Sequence, residues 1–181
     1  MILGIDISTS ITGYTVIDKY GTAVICDHIA LKDEESLFTK AELVKRVLAS
    51  VFEKHDIEKV YIESSLLSFA GGKSSASVIA TLTKFNGIIS YIIRRDFYIT
   101  PEFIMATSAR KQIGIKIVKG TKKAKEQVMD HITLNETWFP LFYKKTGKIK
   151  DYCFDRADSW VIAKAGYLAN KPSLNKKMPV P

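Results

Sequence analysis

Apolar positions open the chain in three short runs, "ILGIDIS", "GYTVID" and "TAVICDHIAL", parted by turn-type residues that include Gly13 and the pair Tyr20 and Gly21. The gaps are short, which predicts an antiparallel meander. The period then changes. Ala41, Val44, Leu48, Val51 and Phe52 recur at helical spacing, predicting a helix from about Glu35 to His55. "KVYIES" reads as a buried strand ending on Glu63. After the loop "SLLSFAGGK", Ser74 or Ser75 is placed to cap a long helix reaching about Arg95, with a further strand at "FYITPEFI". Helices near Thr107 to Ile113, Lys123 to Asn135 and Asp155 to Leu168 follow, and the basic tail from Asn170, rich in proline, reads as disordered. Three strands, a helix, a strand, a helix and a strand predict an α/β fold with a mixed sheet flanked by helices, in one domain over residues 1–169.

At 181 residues with 46% hydrophobic side chains, the chain is long enough to bury a substantial core. The apolar runs fall short of the roughly 18 residues of a membrane span and no secretory signal opens the chain, so a soluble, cytoplasmic protein with no membrane partner is expected. Cys26 and Cys153 lie far apart without metal or redox spacing and are expected to be small core residues.

The net charge of +8 is unevenly spread. Residues 1–109 carry 11 basic and 13 acidic side chains, whereas residues 110–150 carry 11 against 3. Such a block suits a polyanion, and its alternative is a solvated lysine-rich face that aids solubility. Within it, Lys116, Lys119, Lys122 and Lys123 are the candidate phosphate contacts.

Four acids stand out against this frame. Asp6 lies inside an apolar strand and Glu63 at the carboxyl end of the next major strand, where open α/β sheets place ligands. Asp155 and Asp158 in "FDRADSWVIA" sit three apart on one helical face. Singly, the helical pair can be a cap and a first-turn charge, and Glu63 a strand end meeting solvent. Asp6 has no comparable account, because a buried carboxylate must be neutralised, hydrogen-bonded or bound to a cation. The acids repel one another by roughly 4 kcal/mol per pair at a few Å and an effective dielectric of 20. Divalent cations relieve both problems, and Mg²⁺, which prefers hard oxygen ligands and keeps open positions, suits phosphodiester hydrolysis.

The motifs "ILGIDISTSITGYTVID", "VYIESS" and "DRADSWVIA", with looser matches in "ARKQIG" and "KKAKEQVMDHI", resemble the RuvC-type Holliday junction resolvases of the RNase H-like superfamily, particularly their compact bacteriophage versions. The resemblance implies an RNase H-like five-stranded sheet and a Mg²⁺-dependent endonuclease that resolves four-way and other branched DNA by paired nicks. It also implies a homodimer, and 5′-phosphate and 3′-hydroxyl ends. Asp6, Glu63, Asp155 and Asp158 would hold two metal ions, which Mn²⁺ could replace, and no small-molecule cofactor is expected. Two lysines near the scissile phosphate would be Lys111 and Lys125, with Lys122 or Lys123 as alternatives to the second.

The chain departs from that pattern in places. Ile7 and Ser8 stand where the family carries Pro-Gly, and the segment 136–154 is longer than usual. Leu66 occupies the position of a DNA-stacking aromatic, so Phe69, with Lys73 nearby, is the candidate for stacking at the branch point.

Two other functional classes compete. "GIDISTS" also resembles the opening strand of the sugar kinase, actin and Hsp70 ATPases, but those enclose nucleotide between two such domains. "AGGKSS" lacks the first glycine of a P-loop, whose place falls at Leu67. A non-catalytic branched nucleic-acid binding module is the other alternative, and it would gain by losing carboxylates near phosphate.

Overall fold

The computed structural model describes residues 1–64 and 76–171. Strands β1 (Ile2–Asp6), β2 (Ile11–Ile17) and β3 (Ala23–Ala30) form the expected antiparallel meander, followed by helix α1 (Leu37–Lys54) and strand β4 (Lys59–Glu63). Helix α2 (Ala76–Phe97), strand β5 (Glu102–Ile104) and helices α3 (Ala106–Gln112), α4 (Ala124–Asn135) and α5 (Tyr152–Asn170) complete the chain. The sheet order is β3-β2-β1-β4-β5, with β4 parallel to both β1 and β5.

Local chemistry sets the element ends. Ser36 caps α1, its hydroxyl accepting from the Thr39 amide at 3.1 Å. Strand β5 has three residues rather than the eight expected from "FYITPEFI", because Tyr98 turns the backbone to φ 60° and Pro101 has no amide to donate. Strand β1 ends on Asp6, which therefore lies at the carboxyl end of the central strand rather than mid-strand. There Ser8 closes a turn: its hydroxyl donates to the Ile11 carbonyl at 2.7 Å and accepts from the Ile11 amide at 3.1 Å. The Ser/Thr run after Asp6 thus serves its own backbone, unlike a phosphate grip. Helix α5 begins three residues earlier than expected and ends beyond Leu168. Asn170 remains helical, donating to the Tyr61 hydroxyl at 2.7 Å.

Strand alternation divides the core in two. Leu3, Ile5, Tyr14, Val16 and Ile62 face α1 and α2, whereas Ile2 and Tyr61 face α3, α4 and α5. Cys153 is fully buried on the second side and Cys26 half-buried beside it, where burial pushes its thiol up to about 11, so neither is a ready nucleophile. Contrary to the expectation that the apolar runs are too short, α2 is long and apolar enough to cross a membrane, with a mean hydropathy of 1.4 over 18 residues. Its Phe85, Ile89, Ile92 and Ile93 are nevertheless packed into the sheet.

Helix α5 lies directly on the sheet because the sheet offers it almost no side chain to climb over. A Cβ on Gly4 would overlap the backbone of Ala163, and one on Gly13 would overlap the carbonyl of Asp155. Between these points the hydroxyls of Thr15 and Ser159 meet at 2.8 Å, both fully buried. Since Gly13 is the register partner of Asp6, this crossing sets the first turn of α5 beside the end of β1. Gly13→Ala should force the helix away at a cost of roughly 1–3 kcal/mol, lowering the melting temperature by about 2–4 °C per kcal/mol. An unchanged thermal melt would mean that the helix N-terminus has room to move.

Candidate active site

The crossing of α5 gathers acids from three elements. Asp6 ends β1, Glu63 ends the neighbouring parallel strand, and Asp155 and Asp158 occupy the first two turns of α5. By strand parity Asp6 shares a face with Gly4, and Glu63 with Tyr61, so both point toward α5.

The four carboxyls act on one another. Burial first, then Glu63, Asp158 and Asp155, hold the Asp6 carboxyl well above the ordinary carboxylate range, and Lys125 opposes them. Glu63 is pushed up to about 7 by burial and then Asp158, against Arg110 and Lys125. Asp155 is pushed up to about 6, chiefly by burial and with Lys125 opposing. Burial raises Asp158 as well, while Arg110 and Lys125 pull it down. Neither Asp6 nor Glu63 accepts a hydrogen bond from the described residues. The site is therefore short of positive charge.

Lysine and arginine supply only part of what is missing. Lys125, in the first turn of α4, acts on all four acids. Lys111 is exposed on α3 and is not among the charges that shift them. Its neighbour Arg110 takes the inward position, donating to Asp158 Oδ1 at 3.2 Å with both side chains largely buried. Sequence reasoning missed Arg110. Its place in "ARKQIG", one residue before Lys111, does not set it apart in the sequence, because the packing of the short helix α3 decides which of the two turns inward.

The donor set suits a hard divalent cation: the four candidate ligands are carboxyls, crowded together and under-compensated by positive charge. Among the described residues no group of three or more such side chains stands close enough to hold a metal ion as it is. Of the basic block, Lys116, Lys119 and Lys123 are exposed, and Lys122 is engaged with Asp130 at 2.7 Å. Phe69, Lys73 and Leu66 lie outside the described residues.

A family model, "Crossover junction endodeoxyribonuclease RuvC", matches residues 2–136. That span includes Asp6, Glu63, Arg110 and Lys125 and stops before α5. No curated protein sequence matches significantly. Among solved structures, Thermus thermophilus RuvC in complex with Holliday junction substrate superposes with a TM-score of 0.63 at 12% identity, covering 93% of each chain. A second Thermus thermophilus RuvC structure gives 0.59 at 14% identity, covering 93% of this chain and 94% of that one. The yeast mitochondrial Holliday junction resolvase Ydc2 gives 0.56 at 14% identity, covering 92% and 77% respectively. At these identities the likeness establishes the RNase H-like fold.

Raised carboxyls make stability depend on pH in a defined direction. Glu63 and Asp155 bind protons more tightly in the fold than in the open chain, so their contribution is full below about pH 4 and lost as pH rises toward 7. The metal-free protein should lose on the order of 5 °C in melting temperature across that window. Glu63→Gln should flatten the loss, and millimolar Mg²⁺ at pH 8 should reverse it. A melting temperature that rises over the same window, in the absence of metal, would contradict the shared field.

Proposed function

The chain belongs to the RuvC family of crossover junction endodeoxyribonucleases, and is thus a structure-selective DNA endonuclease; from that premise we propose that it resolves four-way and other branched DNA by paired hydrolytic nicks at the Asp6, Glu63, Asp155 and Asp158 cluster. The observation that carries this assignment is the shared field of four carboxyls drawn from β1, β4 and α5. A pure binding module would place no such group of anions against phosphate.

The family's hydrolysis is divalent-metal dependent, and Asp6, Glu63, Asp155 and Asp158 are the residues that would hold the ions, Mg²⁺ or Mn²⁺ and two per site. Bound there, a divalent cation supplies Lewis-acid polarisation of the phosphate and a water acidic enough to attack near neutral pH. The protein's own groups divide the remaining work. Asp158 is held by Arg110 and so stays fixed, while Asp155, free of that pair, orients the attacking water and accepts its proton. Lys125 offsets charge that builds on the phosphate in the transition state. Lys111, exposed on the far side of α3's inward row, serves the DNA backbone rather than the reacting phosphate. Lys116, Lys119 and Lys123 extend that basic surface.

A four-way junction has near two-fold symmetry, so paired nicks call for two active sites related by the same symmetry. Helix α2 offers the means. Only 28% of its most apolar 18-residue window is buried, and Tyr91 is 62% exposed on the side away from the sheet. Phe85 and Ile89 are taken up by the protein's own core, so the homodimer contact falls to the outer face of the same helix. Such an enzyme acts where the DNA is, in the cytoplasm, host cytoplasm if the source is viral.

Asp6→Asn should lower junction cleavage by at least about 10³-fold, the scale on which electrostatic catalysis acts, while junction affinity holds or tightens because a carboxylate no longer faces phosphate. Digestion of a panel of four-way junctions, flaps, linear duplex and RNA–DNA hybrid, with gel-shift binding alongside, measures both. Cleavage near the parental rate would remove Asp6 from the active site. Asp155→Asn and Asp158→Asn should be similarly impaired but retain a trace of activity in Mn²⁺.

A further inference from the structure

The segment between α4 and α5 supplies none of the four acids. In it, residues 142–150 read "FYKKTGKIK", with four lysines and no acid. They fold back on themselves as a small hairpin. Tyr143 pairs antiparallel with Ile149, and the Lys150 amide donates to the Phe142 carbonyl at 2.8 Å. The turn is closed by the Lys144 amide on the Lys148 carbonyl at 2.7 Å, with Gly147 at φ 76°.

This hairpin is anchored rather than trailing. At its base the Phe142 ring meets Tyr152 at 5.8 Å, and the Arg156 guanidinium lies 5.3 Å from the first ring and 5.0 Å from the second. Arg156 is buried and ion-paired with Asp27 of β3, and His28 stacks on Tyr152 at 4.1 Å and 9°. A chain of rings and one guanidinium thus runs from the sheet edge to the hairpin, through a residue adjacent to Asp155. The acids lie close by: Lys125, which acts on all four of them, also acts on Asp151 at the hairpin's foot.

Holding nine residues and four like charges in one shape costs conformational entropy and repulsion. Only Lys144 has an acid to itself, Asp151 at 2.9 Å. Lys150 lies over the Tyr152 ring at 5.6 Å, and Lys145 and Lys148, exposed at the tip, have no ion pair among the described residues. Tyr143 beside them is 56% exposed. Unpaired cations fixed beside a phosphodiester-cutting site match the phosphate backbone of a duplex arm.

We propose that the Phe142–Lys150 hairpin is a second DNA-contact element, in which Lys145 and Lys148 grip backbone phosphates of the junction arm that leaves the catalytic acids, while Arg156, Tyr152 and Phe142 hold it at a fixed height. The inference rests on the junction-resolving reading of the acid site and adds to the 110–125 basic surface a second contact, on the segment that leads into α5 and its two acids. It concerns affinity and arm placement, not the chemical step.

The test compares the full-length parent with Lys145→Ala/Lys148→Ala, using a synthetic four-way junction in a salt titration. Loss of two phosphate contacts should flatten the slope of log affinity against log salt by about two units and weaken binding on the order of tenfold to a hundredfold at 0.1 M salt. Single-turnover cleavage at saturating protein should stay within about twofold of the parent, and the melting temperature should be unchanged. Lys145→Arg/Lys148→Arg should restore the parental slope. A parental slope in the alanine variant, with the parent itself binding and cutting the junction, overturns the hairpin's role and leaves the acid site standing. A parent that neither binds nor cuts the junction overturns both.

Discussion

The closeness with which α5 crosses the sheet is the constraint on which the rest of the molecule depends. Two glycines on β1 and β2 remove the side chains that would hold the helix off, and a buried pair of hydroxyls, Thr15 and Ser159, fixes its height between them. Only at that separation can two carboxyls on a helix enter the field of two carboxyls at strand ends. Burial then turns the proximity into chemistry. Each acid is raised above its ordinary range by burial, and all but Asp158 by neighbouring like charge as well, which leaves the deficit of positive charge that a hard cation would meet.

The basic residues around this deficit act at different depths. Arg110 is largely buried and fixes one acid by a direct contact, whereas Lys125 reaches all four acids through space. A guanidinium suits the inner position because it stays charged when buried and can bond without losing planarity. A flexible lysine suits the exposed outer one. Farther out, the basic block and the hairpin add exposed lysines and so extend the positive potential.

The sheet's other face is a separate construction. Leu3, Ile5, Val16, Leu48, Phe85 and Ile89 fill it without polar chemistry, and α2 lies partly on that core and partly outside it. One face of the sheet therefore gathers the four acids, while the other carries the apolar core against α1 and α2.

The sequence by itself determined the order and kind of the elements, because period-2 and period-3.6 hydrophobic patterns report which faces must leave water. It also singled out the acids, since Asp6 in an apolar run has an energetic cost that only a partner or cation can offset. Boundaries were less legible where side chains compete with the ladder. Asp6 ends β1 because Ser8 turns the chain, and β5 is cut to three residues by Tyr98 and Pro101. Which basic residue turns inward was decided by tertiary structure. Adjacent residues on a short helix point about 100° apart, and only the packing of α3 on α5 selects Arg110 over Lys111 for Asp158. The anchoring of the hairpin was legible only in part: Tyr152 and Arg156 stand four apart on one helix and so share a face, but nothing in the spacing says that Phe142 and the distant Asp27 meet them. Long-range contacts of this kind follow from how closely α5 seats on the sheet, a property of the folded whole.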